Sequence, residues 1–171
     1  MSINKQWLLL VSTIGVLFLV ACSDENQEQP SSETVSKSPQ ISLEVFKSRT
    51  CQCCQKWVDH VHEHGFDTDV TNHTSMSLVK DKYGVAPNYR SCHTAVSSGG
   101  FVFEGHVPAK FIQQFLESVP EGAVGLSEPA MPVGTPGMEV GEQFRPYVIL
   151  QLNQDGIATT YAEINSYEEQ F

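Results

Sequence analysis

The chain has 171 residues, with ten Lys or Arg against twenty Asp or Glu and a formal net charge of −10. Nucleic acid is excluded as a partner, since phosphate binding demands a basic face that this composition does not supply; the excess acid reads as a solubilising surface. If the first 21 of the 171 residues are a removable leader, the remaining 150 suffice for one core of ordinary size with an elaboration, but not for two generous domains.

Residues 1–21 carry one early positive charge, Lys5, and then an uncharged apolar run from Trp7 to Ala21. This is the pattern of a secretory leader, and the run is shorter than the roughly 20 apolar residues that a membrane span needs. Leu19-Val20-Ala21-Cys22 resembles a bacterial lipobox, in which the cysteine becomes the lipidated first residue of the mature chain. A diacylated Cys22 is expected to anchor the protein to a membrane it does not span. Ser23, rather than an aspartate, follows the cysteine, which resembles outer-membrane rather than inner-membrane sorting of Gram-negative lipoproteins. The expected location is therefore the periplasmic side of the cell envelope. Residues 22–40, rich in Ser, Glu, Gln and Asn with Pro30 and Pro39, read as a disordered tether.

Ile41, Leu43 and Val45 alternate with polar residues and predict a first strand. Trp57, Val58 and Val61 recur at helical spacing, predicting a helix from about Cys53 to His64 that stops at Gly65. Phe66 to Val70 reads as a second strand, Ser75 to Tyr83 as a short helix and Thr94 to Ser97 as a third strand. A tight turn at Gly99-Gly100 returns into Phe101-Val102-Phe103. Pro108 opens a last helix whose apolar face is Phe111, Ile112, Phe115 and Leu116. The order βαβαββα is that of an α/β, thioredoxin-like domain, here spanning residues 41–118. Residues 119–171 read as an extension of the same domain. Its Gly/Pro-rich stretch from Gly122 to Gly141, containing Met131 and Met138, is expected to be one long irregular loop. A hairpin of Tyr147 to Leu152 and Ile157 to Tyr161 follows.

With Cys22 assigned to the lipid, Cys51, Cys53, Cys54 and Cys92 remain for chemistry. Three cysteines within four residues cannot spread staples over a fold, so the cluster points to metal or redox work. Placed at a helix N-terminus, these thiols are favoured as thiolates. At about 100° per residue Cys51 and Cys53 would diverge within a helix, so the three converge only if Cys51 precedes it. Cys92-His93 lies just before the third strand, where a thioredoxin-like topology brings it against the first helix. Clustered thiolates match copper(I); a four-ligand Cys/His set would also satisfy zinc. Met131 and Met138 favour copper(I), since thioether is a poor zinc ligand, although either methionine can equally be core filler. His60 and His64 are four apart on the helix, with His62 between and His73 elsewhere; such a pair could take a metal, but on a polar helix face they read first as solvated side chains. His106 follows the hairpin as a further candidate ligand.

Four motifs in order carry a resemblance: Lys47-Ser48-Arg49-Thr50-Cys51-Gln52-Cys53-Cys54 with Trp57-Val58; Arg90 to Ala95; Glu104 to Ala109; and Met131 to Glu139. Together they resemble the CopG-type family of small bacterial metal-binding proteins, linked to copper resistance and long classed as a domain of unknown function. The resemblance spans about Leu43 to Tyr161 and implies a thioredoxin-like fold with a copper site at the cysteine cluster, open to more than one copper(I) ion. Gln52 and Gln55 stand where the family has glycine, departures that touch turn geometry rather than ligands.

Two functions of different class follow. One is periplasmic copper(I) binding in copper handling and resistance, with copper ions and other periplasmic copper proteins as partners and a change in the metal's oxidation state as an extension. The other is thiol-disulfide oxidoreduction through Cys51 and Cys54 as a C-x-x-C pair. Thioredoxin-like oxidoreductases carry a cis-proline before the third strand; Cys92-His93 occupies that place here, and Pro87 comes five residues too early. A structural zinc site explains neither the extra cysteine nor the methionine loop.

Overall fold

The computed structural model describes residues 41–171; the leader, Cys22 and the tether expected over 22–40 lie outside the described residues. Strand β1 (Ile41–Ser48) buries Leu43 and Val45 on one face and Phe46 on the other, the pattern of a strand covered on both sides. Helix α1 (Gln52–Glu63) buries Cys54, Trp57, Val58 and Val61, a stripe at spacings of three and four, and ends before Gly65 at φ +89°. Strand β2 (Phe66–His73) returns parallel to β1. Helix α2 (Met76–Lys82) and a 3-10 turn at Pro87–Tyr89 lead into the hairpin of β3 (Thr94–Ser97) and β4 (Val102–Gly105). Helix α3 (Ala109–Glu117) follows Pro108, and β5 (Ala123–Glu128), β6 (Tyr147–Asn153) and β7 (Thr159–Ile164) complete the chain of strands.

The seven strands form one sheet in the order β2-β1-β3-β4-β5-β6-β7. Within β2-β1-β3-β4 only β3 runs antiparallel to the rest, an arrangement consistent with a thioredoxin-like α/β fold. One face carries the main core, where Leu43, Val45, Trp57, Phe103, Ile112 and Phe115 pack together with α1 and α3. The opposite face holds a smaller cluster of Phe46, Val79 and Val96 with Met76 and Tyr83 of α2. Each large apolar side chain buried this way contributes roughly 1.5–3 kcal/mol.

The expectation that residues 122–141 form one irregular loop is corrected by β5, which pairs parallel to β4 and antiparallel to β6. The reason is steric. Gly125 is in the strand because a Cβ there would collide with the Val102 carbonyl of β4, so the glycine marks a close strand approach. The last strand begins two residues later than expected. Ile157 belongs to the turn, its N–H bonded to Asp155 Oδ1 (2.9 Å) and its carbonyl accepting from Asn153 Nδ2 (2.8 Å).

Candidate metal centre

The cysteine cluster sits where β1 hands over to α1. Cys51 is the helix N-cap with extended backbone, preceding the helix as convergence of the thiols requires, and its Sγ accepts the Cys54 N–H at 3.3 Å. Cys51 and Cys54 are joined as a disulfide, whereas Cys53 and Cys92 are free thiols. Cys53 Sγ lies 3.5 Å from Cys51 Sγ. Cys92 reaches the group from the loop before β3: the pairing of Thr94 with Phe46 sets that loop beside the end of β1. The sulfurs of Cys51, Cys53, Cys54 and Cys92 all lie within 4.8 Å of one another.

A second donor group overlaps the first. Cys92 Sγ is 3.1 Å from His93 Nδ1 and 3.1 Å from His106 Nε2, so Cys92 belongs to both. His106, a minor candidate from sequence, is thereby part of the centre. Its Nδ1 donates to the Pro136 carbonyl at 2.6 Å, which leaves the Nε2 lone pair facing Cys92 and fixes the tautomer a metal ligand needs. His93 is wholly buried against the Trp57 indole, ring centroids 4.3 Å apart, and its Nε2 has no partner. Trp57 is held in turn by Nε1–H donating to the Val107 carbonyl at 2.8 Å.

Burial pushes the Cys92 thiol up to about 12, with the neighbouring Cys53 adding to the effect. Burial likewise holds His93 well below the usual imidazole range, reinforced by His106, Lys80 and Lys47. It lowers His106 too, against the opposing pull of the Pro136 carbonyl. Both imidazoles are therefore neutral donors near pH 7, while Cys92 keeps its proton until a metal displaces it. Two free thiols, two neutral imidazoles and, once their disulfide is reduced, the sulfurs of Cys51 and Cys54 suit a soft metal ion.

The other candidates divide. Gly137 turns the loop over the start of α1 so closely that an added Cβ would lie 2.6 Å from the Cys53 carbonyl and 3.3 Å from His106 Nδ1; Met138, half-buried, is the next residue. Met131 is 39% exposed and lines a cleft of about 420 Å³ with Pro129, Arg145 and Val148; its backbone N–H is held at 3.1 Å by the Glu128 carboxylate, which also accepts the His106 backbone N–H. Among the described residues His60, His62, His64 and His73 join neither donor group. His60 is not simply solvated: its Nε2 accepts the Ala109 N–H at 3.1 Å, so it caps α3. Pro87 lies in the 3-10 turn, before the Cys92 loop.

Sequence reasoning missed the buried ion pair of Lys80 and Glu104 behind Cys92, and the buried Glu128, whose carboxylate also takes the Ala130 N–H at 3.0 Å. The strand read from the sequence ended at Phe103, one residue before Glu104, so no apolar run marked that charge as buried.

Residues 89–138, which include Cys92, His93, His106, Met131 and Met138, match the family described as a protein of unknown function, DUF411. No curated protein matches the chain. Two solved structures are similar to it, forms 1 and 2 of a copper resistance protein copG. Each is 36% identical, covering 74% of this chain and 99% of that one, with a TM-score of 0.69. Identity at that level over nearly the full length of those proteins means that the chain belongs to the CopG family of copper-resistance proteins.

Proposed function

We propose that this is a copper(I)-binding protein of the bacterial envelope, held by a lipid on Cys22 at the periplasmic side of the outer membrane and acting in copper handling and resistance. The observation that carries the reading is the sharing of Cys92 Sγ between a sulfur group and a nitrogen group of donors. Copper(I) is a soft cation that can bridge sulfurs and relieve the repulsion of packed thiolates. The protein's residues do the rest. Cys92 releases its proton on loading, Pro136 keeps His106 turned with Nε2 inward, and Trp57 packs on the His93 ring and holds it in place. The test is an anaerobic competition of copper(I) against zinc for the fully reduced protein. Strong preference for copper(I) is the expected result; preference for zinc under matched conditions would sink the reading.

The Cys51–Cys54 disulfide favours a second reading, in which the pair also cycles between dithiol and disulfide. Two thiolates give up one electron each to two copper(II) ions as the S–S bond forms, leaving two copper(I) ions. The same couple would serve thiol exchange with another protein.

The anchor has its own test. Cys22→Ser is expected to shift the protein from the membrane fraction to the soluble fraction or to stall its processing. Wild-type processing together with wild-type membrane fractionation would count against lipidation.

A further inference from the structure

Behind Cys92 lies a polar network that the donor groups do not include. Glu104 of β4 is 0% exposed and stands opposite Thr94 of β3. Its Oε2 accepts the Thr94 hydroxyl at 2.7 Å, and its Oε1 accepts both the Ser91 N–H at 2.6 Å and the Lys80 ammonium of α2. Lys80, 4% exposed, also donates to Thr94 Oγ1 at 3.1 Å. One residue beyond Cys92, the His93 carbonyl accepts the Gly105 N–H at 3.0 Å. Gly105 has no room for a side chain, since an added Cβ would meet Ser91 Oγ at 2.6 Å. The residue on each side of Cys92 is thus fastened to β4, Ser91 by a carboxylate and His93 by the backbone.

A buried ion pair is an expensive way to hold a helix to a sheet, because desolvating both charges costs several kcal/mol per ion and an apolar pair of similar volume does as well or better. An apolar pair cannot accept the Ser91 N–H, however. A lone carboxylate could accept it, but would set an uncompensated negative charge behind a site that must gather thiolates; Lys80 offsets that charge within hydrogen-bond reach. We propose that the Lys80–Glu104 pair is a positioning device for Cys92, holding its sulfur at the point where the two donor groups meet and thereby setting how tightly the centre retains copper(I). The proposal rests on the copper-binding reading for its ligand, and on the hydrogen bonds alone for its geometry.

The experiment uses the full-length reduced protein with Lys80→Met and Glu104→Met combined, which nearly keeps the volumes, removes both charges together and leaves the Ser91 N–H without its acceptor. Two quantities are read: copper(I) affinity against a chromophoric chelator, and the rates at which Cys92 and Cys53 are alkylated in the metal-free protein, resolved by peptide mass. The expected result is a loss of copper(I) affinity of about tenfold or more, the scale seen when an outer-shell partner of a metal ligand is removed, with Cys92 alkylated several-fold faster and Cys53 unchanged. A folded double variant with wild-type affinity and wild-type Cys92 reactivity overturns the proposal. Equal acceleration at Cys92 and Cys53 overturns it as well, because general loosening rather than positioning would then be the cause. If the double variant does not fold, Thr94→Val carries the same two readouts: it removes only the hydroxyl joining Lys80 to Glu104, and a smaller shift confined to Cys92 is expected. Should the wild-type protein fail to bind copper(I), the function proposed above falls, while the alkylation comparison still decides the role of the pair.

Discussion

Cys92→Ser is expected to weaken copper(I) binding by well over a hundredfold and to lower the number of ions held, at least as severely as Cys51→Ser. Loss of an outer-shell partner already costs roughly 10–100-fold, and Cys92 is a candidate ligand in the first rank. Among the described residues its sulfur is the one donor shared by the group of four sulfurs and the group with the two imidazoles, so its loss detaches the nitrogen donors from the sulfur donors. A serine hydroxyl does not replace it, being a hard donor that stays protonated. Met131→Leu is expected to change little by comparison, because that side chain is 39% exposed and its loss leaves the sulfur and imidazole donor groups intact. The measurement is copper(I) stoichiometry and affinity for the three variants in parallel, with thermal melts of the metal-free proteins to confirm folding. Wild-type copper binding by Cys92→Ser would show that the distant cysteine is outside the site, and the shared-donor account would have to be abandoned.

Residues with a periodic signal were legible in the sequence, and residues defined by close approach were not. The stripe of Trp57, Val58 and Val61 placed α1 to within a residue of its observed start, and the helical phase alone required Cys51 to stand outside it, as the N-cap. Topology then brought Cys92 and His93 to the cysteines across 38 residues of chain. Strand β5 was hidden because Gly122, Gly125 and the prolines beyond it look like loop composition, whereas Gly125 is required by the Val102 backbone. His106 was only a weak candidate because its role depends on the Pro136 carbonyl, 30 residues away, which selects its tautomer. Met131 and Met138 looked equivalent in sequence; in the fold Met131 is exposed at a cleft, whereas Met138 follows the Gly137 turn that packs on the start of α1. Glu104 was missed for a related reason: its partners come from α2, the Cys92 loop and β3, and no local pattern announces such a meeting.

The oxidised protein, with Cys51 and Cys54 joined, is expected to hold fewer copper(I) ions than the reduced protein and to regain the full number when the disulfide is reduced. A disulfide sulfur has no thiolate to offer, so oxidation removes two of the four sulfur donors in one step. What stays available is Cys53 and Cys92 with His93 and His106, a set with room for less metal and with half the sulfur. The chemistry also runs in the other direction. Adding copper(II) to the reduced, metal-free protein under argon is expected to yield one Cys51–Cys54 disulfide for every two copper(I) ions formed, since each thiolate supplies one electron. Mass spectrometry after alkylation counts the disulfide, and a copper(I)-specific chromophore counts the metal. Cys53, 3.5 Å from Cys51, is the internal control. In Cys54→Ser combined with Cys92→Ser, the thiol left beside Cys51 among the described residues is Cys53, two residues away and too close in sequence for an unstrained bridge, so both disulfide and copper(I) yields are expected to fall together. Copper(I) formed without a matching disulfide, or equal copper(I) capacity in oxidised and reduced protein, would remove the link between the dithiol and the metal and leave the pair as a thiol-exchange couple or a structural staple.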